Sequence, residues 1–108
     1  MSAFNSVIGT AACPKCGRSA EFEVQFKYGD TWQHSYRIGD RLRWGGNDIG
    51  FPGRRRVLVE GIGGPCPHCG SDNMDFDVVV QDDELVRIEP LEGGRSISTP
   101  EGFMVVEP

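Results

Sequence analysis

Two pentapeptides constrain this chain more than anything else in it: Cys13-Pro14-Lys15-Cys16-Gly17 and Cys66-Pro67-His68-Cys69-Gly70. Each is a C-x2-C, and 49 residues, 17–65, separate them. Two thiolates two residues apart converge on one tetrahedral ion when the backbone turns tightly beneath it. Proline sets φ at the first intervening position, and glycine after the second cysteine accepts the positive φ that such a turn commonly needs. The backbone N–H groups of the turn then point at the sulfurs and hold their negative charge. Two such loops supply four thiolates, a complete tetrahedral shell with no open position for catalysis.

Other uses of four cysteines fit less well. A disulfide framework belongs to secreted chains, and the first residues, MSAFNSVIGTAAC, carry neither a basic n-region nor a sustained apolar stretch. A thioredoxin-like dithiol needs one reactive C-x2-C in a βαβ setting, whereas this motif occurs twice and no helical pattern follows either copy. Two separate metal sites need further ligands, and the two histidines are His34 and His68. His68 lies inside a knuckle, where its side chain is expected to point outward, and His34 reads as a plain strand residue.

The two pentapeptides resemble the knuckles of the zinc-ribbon family and, more loosely, those of the rubredoxins. The resemblance covers the knuckles and their flanking strands, about 30 of the 108 residues. It implies Cys13, Cys16, Cys66 and Cys69 as metal ligands. The spacer departs from the usual ~15–20 residues, which suggests an elaborated antiparallel β subdomain inserted between the knuckles. Thiolate ligation does not separate zinc from iron; one structural Zn2+ is expected, and iron less so, because no compact interval like that of a rubredoxin is present.

The rest of the chain reads as mainly β. Gly and Pro together number 22 of 108, about a fifth where roughly 12% is average, which favours short strands and turns. Phe22, Val24, Phe26 and Tyr28 alternate with Glu21, Glu23, Gln25 and Lys27, a strand with one apolar face. The first knuckle should cap a hairpin of residues 6–12 and 20–28. A turn over Tyr28–Thr31, a strand Trp32–Ile38 with Trp32, His34, Tyr36 and Ile38 on one side, and a short strand Arg41–Trp44 are expected next. Residues 45–53, GGNDIGFPG, read as irregular. Arg54–Ile62 returns to strand and leads into the second knuckle. Asp75–Gln81 and Glu84–Glu89 form a hairpin about Asp82-Asp83, with Val78, Val80, Val86 and Ile88 sharing a face. Residues 90–101 read as a loose linker. The expected organisation is one zinc-stabilised domain over 1–92, with knuckles at 13–17 and 66–70 and the insertion over 18–65. A tail follows over 93–108, in which Phe103–Val106 can add an edge strand.

Charge is uneven. Residues 1–56 hold nine Lys/Arg against five Asp/Glu, a net +4, while 57–108 hold two Arg against eleven acids, a net −9. A uniformly basic nucleic-acid binder is excluded, but one basic face is not. Arg41, Arg43, Arg54, Arg55 and Arg56 surround Trp44 and Phe51, a composition that suits a protein–protein hot spot or the stacking of single-stranded nucleic acid. The bland reading is a connecting loop with solvated arginines. No G-x-x-x-x-G-K-[ST] occurs, the acids of 72–92 read as solvated strand edges and a turn, and no catalytic constellation is visible. No stretch approaches the ~20 apolar residues of a membrane helix. The sequence thus predicts a soluble, cytoplasmic, non-enzymatic zinc-ribbon module that binds another protein. Nucleic-acid binding through the Arg/Trp face of 41–56 is the alternative, and a rubredoxin-like electron carrier is the third.

Overall fold

A computed structural model describes residues 4–95 and 99–108; the parts of the expected domain and tail at 1–3 and 96–98 lie outside the described residues. The described residues are β throughout: β1 Asn5–Ala12, β2 Ser19–Phe26, β3 Gly29–Asp30, β4 Ser35–Arg37, β5 Asp48–Ile49, β6 Arg56–Gly63, β7 Met74–Gln81, β8 Glu84–Pro90 and β9 Phe103–Glu107. Among the described residues, no helix is long and apolar enough to cross a membrane.

The main sheet runs β4-β1-β2-β6-β7-β8, with β9 also paired to β6. Of the strands between the knuckles, β2, β4 and β6 belong to this sheet, while β3 and β5 pair as a separate two-stranded sheet. The sheet curls until its ends meet. Gly39 and Leu42, just past β4, donate N–H groups to the carbonyls of Leu85 and Asp83 at 2.7 and 2.8 Å, and Leu85 N–H returns a bond to Asp40 at 2.9 Å. The result is a small barrel filled by Val7, Phe22, Val24, Phe26, Tyr36, Val57, Val59, Phe76, Val78, Val80, Leu85 and Ile88. Its interior is tight: a Cβ on Gly61 would stand 2.5 Å from Val24 Cγ1.

Each knuckle is the turn of a hairpin. β1 and β2 pair antiparallel from Asn5↔Phe26 to Ala12↔Ser19, and β6 and β7 from Val57↔Val80 to Gly63↔Met74. The two hairpins then pair with each other through Val24↔Gly63, Gln25↔Ile62 and Phe26↔Gly61. Beyond the end of β6, the His68 ring reaches the Ser19 carbonyl at the start of β2. Antiparallel pairing therefore carries the first knuckle alongside the second, however long the chain between them.

Several sequence expectations need correction. The strand over Trp32–Ile38 shrinks to β4, which runs parallel to β1. Gln33 takes a left-handed φ of 58°, and the buried Asn5 side chain draws residues 28–34 into a loop by binding the carbonyls of Tyr28 and Asp30 and the His34 N–H. Tyr36 alone of the expected face is buried, while Trp32 is 70% exposed. Tyr28–Thr31 is no simple turn, nor is 45–53 wholly irregular, because β3 and β5 pair there. Arg41–Trp44 forms a single bridge, Arg41↔Glu84, rather than a strand.

The Asp82-Asp83 turn forms as expected, with both residues at positive φ. A register shift between Val79 and Val80 places Leu85, not Val86, opposite Val80 and in the core. The stretch 90–101 is no loose linker in its described part. Arg95 binds Asp77 and the Phe76 carbonyl, and Thr99 binds Glu60 through both its N–H and its hydroxyl.

Candidate metal centre

The sequence of each knuckle explains its shape. In the first, Gly17 N–H bonds the Cys13 carbonyl at 2.9 Å and Cys13 N–H bonds the Arg18 carbonyl at 2.8 Å. In the second, Gly70 N–H bonds the Cys66 carbonyl at 2.9 Å and Cys66 N–H bonds the Ser71 carbonyl at 2.8 Å. Gly17 and Gly70 sit at φ of 78° and 76°, where a side chain would be strained. The N–H groups of Lys15 and Cys16 lie 3.3 and 3.4 Å from Cys13 Sγ, and that of His68 lies 3.4 Å from Cys66 Sγ. The inner sulfur of each loop thus faces backbone donors.

The four sulfurs converge. Cys13 and Cys66 are buried, Cys16 and Cys69 are exposed, and all four Sγ atoms lie within 4.8 Å of one another. Cys13 to Cys69 and Cys16 to Cys66 are each 3.8 Å. A regular tetrahedron with metal–sulfur bonds of about 2.3 Å has edges of about 3.8 Å, so the donor set fits a metal ion. A disulfide needs about 2.05 Å, and all four cysteines are free.

The thiols also feel one another. Against the pull of the Arg18 N–H, burial and the three neighbouring sulfurs push Cys16 up to about 11. The Ser71 hydroxyl and backbone N–H draw Cys69 down to about 6. Burial opposes ionisation of Cys13, but the N–H groups of Cys16 and Lys15 and the nearby sulfurs hold its pKa below the usual thiol value. Four thiolates this close need a cation among them, and a divalent ion is what lets the last protons leave.

His68 takes no place in the shell: its Nε2 meets the Ser19 carbonyl at 3.3 Å and ties the second knuckle to β2. Sequence reasoning missed Met74, whose Sδ packs 3.7 Å from Cys13 Sγ, and Ser71, whose hydroxyl lies 3.4 Å from Cys69 Sγ. Ser71 is readable in retrospect, because it directly follows the CPHCG knuckle. Met74 becomes visible once the β6–β7 register is known.

The second set of candidate residues divides. Trp44 turns inward, edge-on to Tyr28 at 5.5 Å and 81°. Tyr28 stacks in turn on Phe103 at 5.2 Å, and its hydroxyl donates to the Phe51 carbonyl at 3.0 Å. Phe51 stays half-exposed against Phe103, with the Arg54 guanidinium 5.0 Å from its ring centre. Arg55 is exposed, Arg56 is half-buried on β6, and Arg41 and Arg43 are exposed beyond β4. Asp82 stands between the two groups: its N–H donates to the carbonyls of Arg54 and Arg55, and its carbonyl accepts Arg41 Nη1. The arginines of 41–56 therefore form two patches divided by an acidic turn.

Comparison with known proteins returns no match: no family model fits the chain, and neither a curated protein nor a solved structure is significantly similar to it.

Proposed function

We propose that this chain is a non-enzymatic zinc-ribbon-type protein, working in the reducing cytoplasm, whose single zinc ion is structural and whose opposite end docks another protein. The observation that carries the structural role is the closed set of four sulfurs. With every tetrahedral position taken by a thiolate, a bound ion has no water to activate. The docking role draws on Phe51 and Arg54, a half-exposed aromatic–guanidinium pair of the kind that anchors interfaces. Beside it, Trp44 Nε1, Arg54 Nε and Arg56 Nε are buried donors with no acceptor among the described residues.

Metal analysis of the purified chain, joined to co-purification from its own cells, tests both halves. The expected result is one zinc per chain and a protein partner lost in Phe51→Ala and Arg54→Ala, both of which keep their zinc. A red protein containing iron would replace this reading with an electron carrier. Binding to single-stranded oligonucleotides that falls steeply with salt and needs Arg54–Arg56 would replace it with nucleic-acid recognition.

A further inference from the structure

Beyond the acidic turn, the other arginine patch lines a cleft of about 320 Å³ formed with His34, Ser35, Tyr36 and Asp40. Its walls are held from behind. The Tyr36 hydroxyl, on a ring 5% exposed, accepts the Arg43 N–H at 3.1 Å, which leaves its own proton free to be donated. His34 Nε2 is 2.9 Å from Asp30 Oδ2, so Nδ1 is the ring atom left for a ligand. The same Asp30 receives the Asn47 N–H at 2.7 Å through its other oxygen, and Asn5 Oδ1 holds the His34 N–H at 3.0 Å. Asp40, the one acid on the cleft, already accepts the Arg37 N–H at 2.7 Å.

The cations of this cleft form no close ion pair, although Arg43 lies near enough to Asp30 to favour its charged form. Arg41 places one Nη1 on a carbonyl, and neither Arg41 nor Arg43 has a carboxylate within ion-pairing distance among the described residues. Two guanidinium forks, a seryl hydroxyl and a phenol present many donors to one small space. That array suits a multiply charged tetrahedral oxyanion, which offers more acceptor oxygens to these donors than the two of a carboxylate. The volume leaves room for part of the group that carries the anion. We propose that the cleft binds a small phosphomonoester, with Arg43 and Arg41 gripping the phosphoryl oxygens and Ser35 and Tyr36 donating to them.

Amide NMR of the full, zinc-loaded chain, titrated with phosphoserine, inorganic phosphate and acetate, tests this. Saturable shifts should centre on residues 34–43, with phosphoserine binding more tightly than phosphate and acetate without effect. Arg43→Gln should weaken phosphoserine binding about tenfold, the loss expected for one charge-assisted contact. Asp40→Asn, which keeps the acceptor for Arg37 but removes the like charge, should strengthen it. Arg55→Gln, an exposed arginine outside the cleft, should leave it unchanged. Equal losses in Arg43→Gln and Arg55→Gln, or shifts spread over every arginine, would reduce the effect to general charge attraction and overturn the site. Binding of phosphate with exclusion of phosphoserine would overturn the phosphomonoester assignment.

Discussion

The two ends of the barrel are closed by opposite means. At the knuckle end, four sulfurs lie within 4.8 Å of one another, and they repel if all are ionised without a cation among them. At the far end, Trp44, Tyr28, Phe103 and Phe51 lean edge to face in series, and Tyr28 is 1% exposed. One end offers a site for an ion; the other is packed from its own side chains, with Trp44 Nε1 left without an acceptor among the described residues.

Removing the metal should give the largest effect. Structural zinc contributes apparent free energies of about 10–16 kcal/mol in small domains, against a net stability of about 5–15 kcal/mol for a whole domain. Cys66→Ser, or exhaustive chelation, should release the knuckles first and then abolish the cooperative melt, followed by circular dichroism with metal content read by mass spectrometry. An unchanged melt after verified metal loss would show that the two ends are less different than the geometry indicates. Acid should act like the chelator. A thiolate must be free of its proton to bind, so occupancy falls as pH falls, and Cys16, pushed up to about 11, is the ligand that regains its proton most readily. Occupancy that does not fall on acidification would contradict this.

Gly50→Ala strikes the other end. Gly50 has a φ of 87°, and a Cβ there would enter the ring of Tyr28. Strain and overpacking together should cost about 2–4 kcal/mol in denaturant unfolding, with zinc content unchanged. Loss of zinc in this variant would reveal coupling along β2 between the two ends. Tyr28→Phe keeps the packing and deletes the bond to the Phe51 carbonyl, so a loss of about 1 kcal/mol is expected. The smallest change belongs to Arg54→Ala. It removes a half-exposed cation over an aromatic ring, and the melt should fall by about 0.5–1 kcal/mol at most. A larger loss would mark Arg54 as part of the core rather than of a docking face.

Legibility followed the range of the interaction. The ligand set could be named from spacing, and the burial of Phe22, Val24, Phe26 and Tyr28 from a period of two. The hairpin about Asp82-Asp83 was equally plain, but its bulge was not. Val86 has the right residue type and parity for the core, yet a one-residue slip in the ladder hands the place to Leu85. Trp32 and Trp44 are alike in sequence and opposite in fate. Asn5 and Gln33 turn the first outward, while the ring of Tyr28 receives the second. Arg95 gave no local signal, because its partners Asp77 and Glu60 come from two different strands.

What the sequence alone determined is chemistry confined to neighbouring residues: which four sulfurs can meet at a metal site, how each loop turns about its glycine, and which face of β2 is apolar. What the tertiary structure decided is adjacency between distant segments. The pairing of β2 with β6 sets the knuckles side by side, and the hairpin turn at Asp82 parts one run of arginines into two surfaces. Such contacts depend on strand register, which many weak pairings set together and no single stretch of the chain encodes.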